Sequence, residues 1–155
     1  MKNTLIVSAS MLVLAGLSAC AGTPPEGLGV TNGQLKRCPT SPNCVSSQAD
    51  IEDERHFIAA IPYTEERKDA FNRLRGVIQA MERTETIECS EGYLRVEFAS
   101  AIMGFVDDVE FYFPAEPLIH VRSASRKGHS DLGINRERIE RIRVLLKTTT
   151  KGVNQ

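Results

Sequence analysis

The chain predicts an α+β domain, a mostly antiparallel sheet of four to five strands with two helices packed on one face. Three observations lead there. Short runs alternate apolar and polar residues, two longer stretches carry apolar residues at spacings of three and four, and the connections between the strand-like runs are short.

The first helix is read in "TEERKDAFNRLRGVIQAMERT", with Thr64 placed to cap it and acidic residues in the first turn. Ala70, Phe71, Leu74, Val77, Ile78 and Met81 then form one apolar stripe. Before it, "HFIAAIPY" supplies the fifth strand. After it, "TIEC" puts Ile87 and Cys89 on one face, and "SEG" turns the chain into "YLRVEFA", where Leu94, Val96 and Phe98 alternate with Tyr93, Arg95 and Glu97. "DVEFYF" repeats the pattern with Val109, Phe111 and Phe113, and "LIHVRS" with Ile119 and Val121. The link "PAEP" is short enough to make these two strands antiparallel neighbours. The last helix is read in "INRERIERIRVLLK", with Asn135 as cap, a stripe of Ile139, Ile142, Leu145 and Leu146, and a Glu137–Arg141 pair in the favourable order.

The N-terminus gives an address. "MKNTLIVSASMLVLAGLSAC" has a charge at Lys2, an apolar stretch from Leu5 to Leu17 and small residues before a cysteine, the pattern of a signal peptide over residues 1–20. "LSAC" resembles the lipobox of bacterial lipoproteins, so Cys20 is the expected site of acylation, palmitate included. Two or more chains suffice for durable anchoring. The alternative is a non-lipidated signal with a coincidental cysteine. Ala21, rather than aspartate, implies onward transport to the outer membrane by analogy with lipoprotein sorting, and the domain would face the periplasm. Residues 21–37, "AGTPPEGLGVTNGQLKR", read as a flexible tether, 38–147 as one domain, and 148–155 as a disordered tail.

Export exposes thiols to oxidation. Cys38 and Cys44 bracket the turn-forming "PTSPN" and are expected to form a disulfide, leaving Cys89 as a small buried apolar residue. A metal site uniting the cysteines with a histidine is the alternative, but a structural zinc site wants two close pairs. No metal and no cofactor is therefore expected.

The net charge of −1 conceals an asymmetry. Val45 to Val121 holds sixteen acidic against seven basic residues, a balance of −9, whereas Arg122 to Lys147 holds three against eight, a balance of +5. Two readings stand. Cross-strand pairs among Arg95, Glu97, Asp108, Glu110, His120 and Arg122 would make the charges internally complementary. Alternatively, Arg122, Arg126, Lys127 and Arg138 meet an anion on an open face. Export and mild acidity argue against nucleic acid.

The polar residues that could form a ligand site or a structural network are Asp107, Asp108, His120, Arg122, Arg126, Ser130, Asp131, Asn135 and Arg136. Asp107 and Asp108, adjacent on a strand, point to opposite faces and cannot form a dyad if the strand is regular. Arg122 or Arg126 would suit either as partner. In "GHSDLG" three neighbours, His129, Ser130 and Asp131, do not aim at one point and lack a nucleophile elbow, so a turn is the better reading than a triad. That turn feeds the N-terminus of the last helix, where free N–H groups beside Arg126, Lys127, Arg136 and Arg138 could hold an anion.

Three stretches, "CPTSPNCVSS", "YLRVEFASAIMGFVDDVEFYF" and "IHVRSASRKGHSDLGINRERIERIR", together resemble the family known as domain of unknown function 1499. The resemblance implies an exported or membrane-associated module and carries no reaction, substrate or catalytic residue. Three functions follow as expectations. The first is a lipid-anchored envelope domain binding an anionic small molecule, lipid or protein partner. The second is a hydrolase using Asp107 or Asp108 with His120 or His129. The third is an acyl-chain carrier with its cavity between helix and sheet.

Overall fold

A computed structural model describes residues 22–101 and 104–150. The signal segment, Cys20 and residues 151–155 lie outside the described residues. No helix among the described residues is long and apolar enough to cross a membrane.

The elements run β1 (Cys44–Ser46), β2 (Ile61–Pro62), α1 (Arg67–Gln79), β3 (Thr84–Ser90), β4 (Tyr93–Ala99), β5 (Val106–Tyr112), β6 (Leu118–Ser125) and α2 (Ile134–Thr150). The sheet has six strands, one more than the upper expectation. Its order is β1-β6-β5-β4-β3, with β2 also on β6, and every pairing is antiparallel. The additional strand is β1, which pairs Cys44 with Ala124 and Ser46 with Arg122. Three residues next to a proline-rich turn are too few to display an alternation, so only its partner strand reveals it.

The alternating apolar residues of β4, β5 and β6 share one face. Leu94, Val96, Phe98, Val109, Phe111, Ile119 and Val121 are buried there against Ala70, Leu74, Val77 and Ile78 of α1 and Ile139, Ile142 and Leu146 of α2. Phe113 joins this core with Phe71 edge-on to it, the ring centroids 5.2 Å apart. Gly92 closes the β3–β4 hairpin at φ +79°, and a side chain there would run into the Arg67 guanidinium, which donates to the Phe113 carbonyl.

Five local expectations are corrected. Thr64 does not cap α1: the helix begins after Glu66, whose side chain makes no cap bond, while Glu65 is drawn to Arg73. Asn135 is not the cap of α2 but a buried residue of its first turn, and Asp131 accepts its N–H at 2.8 Å. Glu137 and Arg141 make no ion pair among the described residues. Cys89 is exposed because β3 is the sheet edge, although a bulge between Thr86 and Glu88 breaks its alternation with Ile87 and sets it across the ladder from the buried Leu94. The C-terminal helix also outruns its expected end at Lys147 by reaching Thr150.

Residues 22–37, read above as a tether, lie on the sheet's other face. Leu35 is buried, its N–H bonds the Gln48 side chain at 2.7 Å, and the Gly29 N–H bonds the Glu110 carboxylate at 2.7 Å.

Cys38 and Cys44 are joined by a disulfide, with Cα atoms 5.6 Å apart. It closes only a short loop, so chain entropy predicts a contribution of about 2 kcal/mol. Chemical denaturation of a Cys38→Ser/Cys44→Ser chain should show a loss of that size, with the transition still cooperative.

Candidate functional site

Strand β5 crosses the middle of the sheet with three carboxylates, Asp107, Asp108 and Glu110, and all three are buried. Buried carboxylates need partners. Each receives an arginine.

Asp107 faces the helices. Arg138 of α2 donates to it at 2.5 Å, and also to Asn135 Oδ1 at 2.6 Å and Ser123 Oγ at 3.0 Å, while lying 4.8 Å from the Phe98 ring centroid. The Asn135 amide donates onward to Asp131 at 2.7 Å, to Ser125 at 3.0 Å and to the Asn43 carbonyl at 3.1 Å. One helix residue thereby ties α2 to β6 and to the loop closed by the disulfide.

Asp108 and Glu110 face the opposite side. Arg126 grips Asp108 through Nε and Nη2, both at 2.8 Å, and also donates to Glu97. Glu97 stands directly across the ladder from Asp108, a like-charge pairing that Arg126 neutralises by bridging both. Hydrogen bonding to Asp108, reinforced by Glu97, holds the Arg126 guanidinium well above its usual range. Arg95 adds a second cation 3.6 Å from Asp108. Glu110 accepts from Gly29 N–H, from Tyr93 at 2.8 Å and from Arg122 at 3.2 Å, its partner across the ladder. Burial, with the Glu110 charge beside it, pushes the Tyr93 hydroxyl far above its usual range. Arg122 is 2 % exposed, and its Nε is buried with no partner.

The expected site residues are thus divided among separate places. Arg122 and Arg126 are turned into buried pairs rather than toward an open face. Arg136 bonds the carbonyls of Glu54 and Arg55. Ser130 accepts the Leu132 N–H, and Asp131 takes the N–H groups of Gly133 and Asn135, so the start of α2 is occupied by the chain's own carboxylate. His120 bonds Ser47 Oγ at 3.0 Å and stacks on Tyr112. It lies opposite Tyr112, four ladder positions from the Asp108–Ala124 pair. His129 is exposed, and neither histidine bonds Asp107 or Asp108. No cluster of three acidic, histidine or cysteine side chains suited to a metal occurs among the described residues.

The best-formed cavity is elsewhere, a cleft of about 830 Å³ between α1 and α2 at the end of β4. Ligand sites fall in this size range. Val77, Ala80, Met81, Phe98 and Leu145 line it with apolar surface, and Arg73, Arg83, Arg138 and Arg141 bring four positive charges against Glu82 and Glu137. Arg73, Arg83 and Arg138 each pair with an acid, respectively Glu65, Glu82 and Asp107. The Arg141 guanidinium has no partner among the described residues. Arg83 turns the chain from α1 into β3 at φ +57°, a left-handed conformation that costs a non-glycine residue roughly 1–2 kcal/mol. Sequence reading missed this cleft because its walls come from segments distant along the chain. The only local hint was a helix with an arginine where a Glu137 partner had been expected.

The model of the family described as a protein of unknown function (DUF1499) matches residues 34–146. The chain belongs to that family. The matched region holds all six strands, α1, α2 as far as Leu146, and every arginine–carboxylate pair on β5. No curated protein and no solved structure matches the chain.

Two outcomes follow. Arg126→Ala takes both charge-assisted bonds from Asp108, leaving it Arg95 at 3.6 Å, and removes the bridge to Glu97; removing one partner of a buried pair costs about 3–5 kcal/mol. A urea titration of the variant should show that loss. Burial lowers the pKa of His120, with Glu116 opposing. The unfolded chain therefore binds this proton more readily below about pH 6.5, and stability falls as pH drops from there toward the folded value. Melting temperatures from pH 7.5 to 5 should fall less steeply in His120→Gln, whose amide can keep the Ser47 bond.

Proposed function

We propose that this is a lipid-anchored domain of the bacterial cell envelope, held by acyl chains on Cys20, facing the periplasm and sorted to the outer membrane. In this reading it binds an anionic ligand without catalysis, in the cleft between α1 and α2. The anchor rests on "LSAC" at the end of the leader. The ligand rests on one observation, the Arg141 guanidinium, which makes no ion pair among the described residues and stands on a cleft lined by Val77, Ala80, Met81, Phe98 and Leu145. Such a guanidinium beside low-dielectric walls attracts an anion more strongly than one in open water.

A hydrolase built on Asp107 or Asp108 has less support, since both carboxylates are bound by arginines and neither His120 nor His129 reaches them. Arg122 and Arg126 are better understood as structural cations than as ligands for an external anion.

The test is a thermal-shift series on the full chain in neutral phosphatidylcholine vesicles with organic and inorganic anions. A ligand of the folded state at a hundredfold excess over its Kd adds about 2.7 kcal/mol. Stabilisation that falls with added salt and vanishes in Arg141→Glu is the expected result. Stabilisation unchanged in Arg141→Glu would remove the cleft from the reading. Acyl mass on Cys20, lost in Cys20→Ser together with membrane retention, checks the anchor.

A further inference from the structure

We infer that the ligand is an amphiphile, a single alkyl chain ending in an anionic headgroup, and that it enters the cleft from the membrane in which the protein is anchored. This rests on the reading of the cleft as an anion site and specifies its ligand.

The cleft has two chemically distinct parts. Val77, Met81, Phe98 and Leu145 offer a floor with no polar side-chain atom to satisfy, suited to a hydrocarbon chain. Arg141, exposed at the rim one helical turn from Glu137, offers a positive charge that makes no ion pair among the described residues, and Arg83 shares the lining. A small inorganic anion would use the second part alone and leave the floor wet. A neutral hydrocarbon would use the floor and gain nothing from Arg141. Only a molecule carrying both groups matches both parts.

The position of the cleft gives the direction of entry. Gly22 lies against Arg126 and Lys127 just beyond β6, and its carbonyl accepts from Arg126 at 3.5 Å. Arg126 N–H in turn bonds the carbonyl of Val106, at the start of β5, and Val106 pairs with Ala99 at the end of β4. Gly22 therefore lies at the same end of the sheet where Phe98, Ala99 and Ile134 line the cleft. Three apolar side chains are exposed at that end, Phe105, Leu132 and Ile134, and Leu132 is 88 % exposed while held at φ +56°. An acylated Cys20 two residues before Gly22 would keep this apolar end against the bilayer. Exposed apolar side chains beside Lys127 suit the interface between headgroups and acyl chains.

The experiment uses the full chain in phosphatidylcholine vesicles, with protein-free vesicles as the blank, and measures binding of linear alkyl carboxylates from butanoate to decanoate beside the matching alcohols. If the inference holds, affinity rises by up to about fourfold per methylene, the alcohols bind far more weakly, and Arg141→Gln weakens every carboxylate. Ala80→Phe, on the exposed side of the floor, should flatten the dependence on chain length while short carboxylates still bind. Affinity that depends on Arg141 but not on chain length would overturn the amphiphile and leave the anion site standing. Alcohols that bind as well as carboxylates, or the absence of any binding, would overturn both.

Discussion

The structure depends on the neutralisation of one strand. β5 carries Asp107, Asp108 and Glu110 through the centre of the sheet, and none of the three is more than 8 % exposed. Carboxylates so placed would shed their charge or unfold the strand unless cations met them within hydrogen-bond distance. The cations come from three places, Arg138 on α2, Arg122 on β6 and Arg126 just beyond it. Meeting that requirement sets the position of α2 relative to the sheet and the course of the chain leaving β6.

The two faces solve the problem differently. On the helix face, Arg138 reaches Asp107 past Phe98, and Asn135 extends the contact to β6 and to the disulfide loop through Asn43. On the other face no helix packs among the described residues, and the segment from Gly22 to Leu35 supplies the cover. Its backbone reaches both anionic and cationic members, Glu110 through Gly29 and Arg126 through Gly22. The polar outer face of the sheet is thus a second, charged core, satisfied by direct bonds apart from Arg122 Nε.

That arrangement separates the structural arginines from one in the cleft that is available for other work. Arg122, Arg126 and Arg138 are committed to carboxylates of β5, so replacing them tests folding before it tests function. Arg141 stands one turn beyond Arg138 on α2, also lines the cleft, and makes no ion pair among the described residues. Helix periodicity puts both residues on related faces, but it is Arg138 that reaches the sheet, at Asp107.

By itself the sequence determined the α+β class, both helices with their apolar stripes, the β3–β6 meander, the cysteine pair and the opposite directions of Asp107 and Asp108. These depend on periods of 3.6 and 2 and on turn residues, which act over a few neighbours and are legible locally. Only the tertiary structure decided β1, the edge position that exposes Cys89, the role of Asp131 at the start of α2, and the partners of the charges. Arg126 was legible as a candidate partner for Asp108, and Arg122 as a cross-strand partner for Glu110. Arg138 as the cation of Asp107 and Gly29 as a donor to Glu110 were not. Nor was the cleft beside Arg141. These join residues tens of positions apart, where charge and hydrogen bonding constrain which groups must be satisfied but leave the choice of partner to the packing that brings them together.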